Sequence, residues 1–498
     1  MGKAIPPSLI LSVAIQTAYK RLVRSGRVVS ERTRLGLSVL GAGIALGVAG
    51  DLLLRETPWG LNWAVWAACL ALAAAVAARI SRFEAPRSWP LLLGVAVLFS
   101  ACLAWRASPV LAVLNVAAAG AAAAVAAGAL RAGVTSYAVS GGMLAAETLA
   151  GPLPAGAAVE WSTIPRSRWS GHATAAARGF AIALPLLFLF GGLFVAADAV
   201  FEDFTRNLVG FEDAPVHVLV IVLWGWVACG VVHHLLTSRD PVAVPVKRRL
   251  GAVEVGVVLG LLNLLFLVFV LVQLRYLFGG SDHVLQTTGL TYAEYARRGF
   301  FELVAVAALA VPLVLLGDSL AQPRRLFRAL TVVLVALLAV VMTSAVERMR
   351  LYTDVYGLTQ LRLYVLAFLL WLGVVVAWML VTVLRERHSL FMPGALVAGF
   401  AAVAMLNVLN PDALIARTNI DRHLEGRHQV DTYYLGDLSA DATPTILARL
   451  EDVPANERRF LVARLEGAAD GWRSWNWSRS RAQDALDGYA SSVAAASR

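Results

Sequence analysis

Long apolar runs alternate with short polar links along this chain as far as Leu409. A helix needs roughly 20 mostly apolar residues to cross about 30 Å of hydrocarbon. Eleven runs reach or approach that length: Leu35–Leu54, Leu61–Ile80, Trp89–Leu103, Pro109–Leu130, Phe180–Phe201, Val216–Leu236, Gly251–Leu274, Gly299–Leu316, Leu326–Ala345, Leu361–Leu384 and Leu390–Leu409. In lipid a spanning segment must satisfy its own backbone polar groups, so these runs predict helices. The expected fold is all-α: a polytopic transmembrane helix bundle of about eleven spans, with a small α-helical C-terminal region. The third run is the shortest. As a re-entrant or interfacial piece it would flip every later link.

The links carry a charge bias. Those on the N-terminal side of the membrane hold more than twice as many Lys and Arg as those opposite, and Met1–Arg34 alone holds seven. Basic links stay in the cytoplasm. One opposite link, Glu202–Pro215, sets four carboxylates against Arg206 alone. The expectation is a multi-pass cell-membrane protein with a cytoplasmic N-terminus and an extracytoplasmic C-terminus. Three regions follow: a basic amphipathic segment at 1–34, the bundle at 35–409 and an outer helical tail at 410–498.

Composition agrees. Only 15% of residues are charged and mean hydropathy is +0.69, whereas soluble domains average about 25% charged. The net charge of +10 is spread over many links, which suits anionic lipid and argues against nucleic acid. Leu9–Ala18 is apolar but short, and Lys20, Arg21, Arg24 and Arg27 follow it, so an interfacial helix fits better than a signal peptide. Cys69, Cys102 and Cys229 fall inside runs and read as buried thiols, not as a disulfide framework or zinc site. Adjacent helical residues point about 100° apart, so His233-His234 reads as an interfacial pair.

Small residues predict close packing. Gly43 and Gly47 form a GxxxG with Gly50 nearby, and Ala117–Leu130 is nearly all Ala and Gly. Ionisable groups within runs (Asp51, Asp198, Glu254, Glu302 and Asp318) sit near run ends and can reach water, while Asn115 and Asn263 lie deeper. Val134–Leu149 has an amphipathic pattern. In the tail, Asp441–Leu450 and Asn456–Leu465 show helical spacing, and Asn476 can cap a last helix through Tyr489. Trp472, Trp475 and Trp477 are expected to pack on the membrane surface or in the tail's own core. Asn476-Trp477-Ser478 fits a glycosylation pattern, read here as chance.

Polar and aromatic residues are densest in two segments expected at the outer face. One runs RLYTDVYGLTQLRLY from Arg350 to Tyr364, and the other NPDALIARTNIDR, then DTYYLGDLSADATPTI. With WRSWNWSRSRA near the end, these segments resemble the bacterial membrane family catalogued as domain of unknown function 4173, and its close sister 4153. The resemblance covers roughly the last third of the chain. It implies a multi-spanning bacterial membrane protein and supplies no catalytic residue.

The residues themselves suggest an outer-face polar cluster of Glu347, Arg348, Arg350, Tyr352, Asp354, Tyr356, Arg362, Asn419, Arg422, Asp431 and Asp441. Arg348, Arg350 and Arg362 flank a turn at Tyr356-Gly357 and should share a small volume. Either carboxylates from Glu347, Asp354 and the tail neutralise them, or they grip an outside anion. The first reading is preferred. No catalytic, cofactor or metal motif is present, so none is expected. The leading function is non-enzymatic sensing or scaffolding at the envelope. The alternatives are a transporter or channel with an arginine-rich outer vestibule, and a membrane-embedded enzyme acting on a lipid-linked substrate. The expected partners are the bilayer and, at the outer face, an anionic ligand or envelope protein.

Overall fold

The computed structural model describes residues 30–128, 133–161, 214–237, 250–278, 300–320, 324–427, 429–465 and 470–496, with isolated positions elsewhere. The expected segment at 1–29, the fifth run Phe180–Phe201 and the links around 202–213 and 279–298 lie outside the described residues. Among the described residues there are seventeen α-helices and no strand. The other ten runs coincide with helices. Among the described residues, eight helices are long and apolar enough to cross a membrane, while Trp89–Trp105 is shorter.

The chain divides into two compact units. The first comprises Met1–Leu98, Ala121–Gly128 and Ser140–Asp240, and the second Phe99–Gly120, Ala129–Val139 and Pro241–Arg498.

The first unit contains α1 (Glu31–Leu54) and α2 (Leu61–Ser81). It also takes the start of α3 (Trp89–Trp105), the end of α4 (Pro109–Ala126), most of α5 (Val134–Ala150), α6 (Leu153–Ala158) and α7 (Ala214–Leu235). Ser30 caps α1 by accepting from Thr33 N at 3.3 Å, and Glu31 complements the dipole of its first turn. The GxxxG face lies flat on α7. A Cβ on Gly47 would fall 2.4 Å from Ile221 O, and one on Gly43 2.1 Å from Cys229 Sγ. Only hydrogen fits there, and dispersion across the closely apposed backbones holds the pair. Trp66 packs beside it, donating to Leu46 O at 3.1 Å.

Several polar residues of this unit pair with one another. Asp51 is buried, 3.3 Å from Arg55 and 2.6 Å from His217. The expectation that it reaches water gives way to an internal pair, because α7 brings His217 alongside. The two histidines also differ from expectation. His233 and His234 both reach Glu147 of α5, at 3.4 and 3.0 Å. Glu147 is remote in sequence, so local spacing held no sign of it.

The second unit contains α8 (Ala252–Phe278), α9 (Phe300–Leu320), α10 (Arg324–Tyr356), α11 (Gln360–Leu384) and α12 (Phe391–Leu409). Its tail holds α13 (Pro411–Leu424), α14 (Thr432–Gly436), α15 (Thr443–Ala448), α16 (Ala455–Arg464) and α17 (Trp477–Ala496). Val255, Leu303, Phe327, Leu338, Leu372 and Met379 belong to one core shared by α8 to α11. The deeper asparagines bond within this unit. Asn115 and Asn407 exchange amide hydrogen bonds at 3.1 and 2.8 Å, and Asn263 donates to Leu330 O at 3.0 Å.

The tail starts without a linker. Asn410 ends α12 in the left-handed region (φ 54°), and its side chain accepts from Ala413 N to cap α13, which opens on Pro411. Its apolar residues Ile415, Ile420, Ile446 and Leu461 join Leu111, Leu363 and Leu406 of the spans in one buried cluster. Pro454 precedes α16, and Asn476 accepts from Arg479 N at 3.0 Å to cap α17 as expected. Trp472, Trp475 and Trp477 are 67%, 37% and 48% exposed, so they do not form a core of the tail.

Candidate functional site

Helices leave unpaired N–H groups at one end and C=O groups at the other. In the second unit, tail side chains meet these groups at span ends. Asp441 Oδ2 accepts from Ala107 N and Ser108 N, both at 2.9 Å, at the N-terminus of α4. A carboxylate there also complements the helix dipole. Asn476 donates to Leu103 O and Arg106 O, each at 2.9 Å, and Ser478 donates to Trp105 O at 3.0 Å. These bonds close the C-terminus of α3 and leave the Asn476 amide fully buried, where no glycan fits. Tyr434 Oη accepts from Gln360 N at 2.8 Å, at the start of α11.

Two buried carboxylates sit together in this layer. Asp412 Oδ1 accepts from Gln360 Nε2 at 2.9 Å. Ser439 donates its hydroxyl proton to Asp412 Oδ2 at 2.5 Å, and Ser439 Oγ lies 3.4 Å from Asp441 Oδ2. Arg106 lies 3.6 Å from Asp441 Oδ1 and donates to Asn407 O at 2.6 Å, closing the end of α12. Burial pushes the Asp412 carboxyl above its ordinary range, with hydrogen bonds from Ser439 and Gln360 opposing and the charge of Asp441 adding.

The expected arginine cluster is not gathered in one volume. The apolar run ends at Ala345, but α10 continues to Tyr356. Residues two apart on a helix point about 200° apart, so Arg348 and Arg350 separate. Arg348 is buried and lines a cavity of about 360 Å³ with Gln273 and Glu302. Arg350 is exposed, 3.7 Å from Glu347. Arg362 lies over the Tyr352 ring at 4.2 Å and the Tyr356 ring at 5.9 Å, and donates to Gly357 O. The turn itself is present, with Gly357 at φ +78°.

The tail clamps that turn. Asn419 accepts from Leu358 N and donates to Leu358 O, both at 2.8 Å. Arg422 pairs with Asp354 through its carboxylate at 3.2 Å and also donates to its carbonyl. Asp431 caps α14 by accepting from Tyr434 N at 2.9 Å. Of the expected outer-face cluster, Asn419 and the Arg422–Asp354 pair meet at this turn, whereas Asp441 meets Arg106 and the backbone amides before α4. Arg106, Gln360, Ser439 and Tyr434 join this layer without belonging to that expected cluster. Arg106 between two apolar runs was the visible sign, since a lone guanidinium there needs acceptors.

Among the described residues, no group of three or more His, Cys, Asp or Glu side chains is arranged to hold a metal ion. A family model described as Domain of unknown function (DUF4153) matches residues 93–448. That span contains the Arg350–Tyr364, Asn410–Arg422 and Asp431–Ile446 segments, and the tryptophan-rich segment follows it. The match is to the 4153 family, and membership of its sister 4173 is not shown. No curated protein and no solved structure matches the chain.

Proposed function

The chain belongs to the DUF4153 family, and from that premise we propose an integral membrane protein of the cell envelope whose helical tail is a non-enzymatic sensing or scaffolding element. In this reading eleven spans run from a cytoplasmic N-terminus to an extracytoplasmic tail. The carrying observation is the use made of the tail's polar side chains. Asp441, Asn476, Ser478, Tyr434 and Asn419 are each engaged with backbone groups at span ends. Asp412 and Asp441 Oδ2 are engaged by protein donors, and Asp441 Oδ1 faces Arg106 at 3.6 Å, which favours a structural role for the pair. A tail seated this way couples anything that binds it to the outer ends of the spans.

Two measurements test this reading. Alkaline phosphatase fused after Asp412 should be active, and fused after Arg249 nearly inactive; the reverse overturns the orientation. In the full-length protein in detergent, the tail should resist limited proteolysis, and Asp441→Ala should expose it while the spans stay protected. A tail cleaved equally fast in both proteins sinks the seated-tail reading.

One observation favours transport as a second reading: the cavity that Gln273, Glu302 and Arg348 line together with apolar residues such as Leu265 and Phe266. With the native cysteines replaced by Ala, Val306→Cys in its wall should react with a membrane-impermeant maleimide if the cavity admits water. Protection of that thiol removes this reading.

A further inference from the structure

Another cleft, also within the second unit, lies among the bonds that seat the tail. It holds about 340 Å³, and Arg106, Arg417, Arg449 and Arg481 line it with Asp441 and Trp477. That volume falls in the range of small-ligand sites, roughly 300–1,000 Å³. Four guanidinium groups therefore meet one carboxylate. Arg106 is engaged by Asp441 and by the end of α12. Arg449 is held by Asp421 and Asp452. Arg417 and Arg481 are exposed, and neither makes an ion pair or hydrogen bond among the described residues. Each offers an open fork of donors, the geometry that binds phosphate or carboxylate oxygens two at a time.

The position of the cleft narrows the ligand. Arg106 follows α3 directly, and Asn410, another lining residue, follows the last apolar helix. Both mark ends of apolar helices, where lipid headgroups lie. Trp477 is half exposed on the cleft wall, and the Trp475 ring is 6.4 Å away. Indoles collect at that depth. Lysine is nearly absent from the chain, at three residues, so delocalised guanidinium forks do the gripping here.

We propose that this cleft binds a phosphate group, as the phosphodiester of an anionic lipid headgroup or as a free phosphate compound, with Arg417 and Arg481 as its principal ligands. The inference rests on the seated tail, because α13, α15 and α17 supply three of its walls. It names the chemical class that such an envelope sensor or scaffold would take up.

The test uses the full-length protein in a zwitterionic detergent without phosphate, with thermal stability as readout. The probes are short-chain phosphatidylglycerol, a diacylglycerol of the same chain length, and inorganic phosphate. Phosphatidylglycerol should raise the melting temperature and diacylglycerol should not. Arg417→Ala/Arg481→Ala should weaken that response about tenfold or more, with basal melting temperature and proteolysis pattern unchanged, since neither side chain has a partner to lose. Arg417→Lys/Arg481→Lys should recover part of it. Protection by inorganic phosphate at equal concentration, lost in the alanine pair, supports the same site with a soluble ligand. A wild-type response in the alanine pair, or no response to either phosphate probe, overturns the site and leaves the seated tail standing. A tail that is protease-sensitive in the unliganded wild-type protein overturns the seated-tail reading and the cleft together.

Discussion

The α1–α7 contact of the first unit and the tail-to-span contact of the second use opposite physics. In the first, glycine backbones nearly touch along the middle of the contact, and its polar chemistry is confined mainly to the Asp51–His217 pair. Its strength comes from dispersion at close range, so it is intolerant of added volume. In the second, apolar residues are packed but the specificity lies in satisfied backbone groups at span ends. That contact tolerates changes in size better than loss of a partner. A mutation should therefore hurt the first unit by adding atoms and the second by removing them.

The largest expected effect comes from adding atoms. Gly47→Leu must displace the α7 backbone at Ile221. Overpacking typically costs 1–3 kcal/mol, and more when backbone must move, so about 3 kcal/mol or outright failure to fold is expected. Gly41→Ala is the control on the same helix: nothing lies within 4 Å of its would-be Cβ, and helix propensity favours it by up to about 1 kcal/mol. Detergent-solubilised yield and melting temperature should fall for the first and hold or rise for the second. Equal behaviour would mean that the glycine face is not a packing surface.

Removing atoms comes next. Asp441→Ala strands two backbone donors and the Arg106 guanidinium. Breaking a buried pair costs about 3–5 kcal/mol, and desolvated donors add to it. Arg106→Ala on top should cost much less than its effect alone, because both changes break one network. Strict additivity in the double mutant would show that Arg106 acts through the end of α12 instead.

Asn419→Ala should cost less, about 1–3 kcal/mol for two backbone bonds. Arg350→Ala, which the sequence places at the centre of an arginine cluster, should cost under about 1 kcal/mol, because its side chain is 69% exposed beside Glu347. Thermal melts of both variants check this order. A larger loss for Arg350→Ala would restore the clustered reading.

That pair marks where the sequence was legible. Apolar runs located the helices because twenty apolar residues have few other uses, and GxxxG located a packing face because small residues in lipid have a narrow role. The end of α10 was invisible. Arg348 to Tyr356 is polar enough to read as a link, yet tertiary packing keeps it helical and sends its arginines to different faces. The partners of Asp441 were invisible too. Backbone amides at 107 and 108 carry no sequence signature, and only the fold shows that a span end needs an acceptor. The bridging of two histidines by Glu147 failed to show for the same reason.

The smallest effect concerns Asp412, and its sign is informative. Burial raises its carboxyl pKa above the ordinary value of 3.8. Between that value and the raised one, the folded chain holds a proton that the unfolded chain has lost. Stability from this group therefore grows as pH falls through the raised pKa, and levels off below the ordinary value. Asp412→Asn removes the titration and keeps the shape. Its carbonyl can still accept from Ser439, and its amide can donate to Gln360 once that side chain rotates its own amide. The exchange should cost under about 1 kcal/mol near neutral pH. On acidification from about pH 8 to pH 4, wild type should gain on the variant, since only wild type takes up the proton. Melting temperatures of the two proteins across that range measure the difference directly, with other titrating groups cancelling between them. Parallel curves would mean that Asp412 stays ionised in the fold.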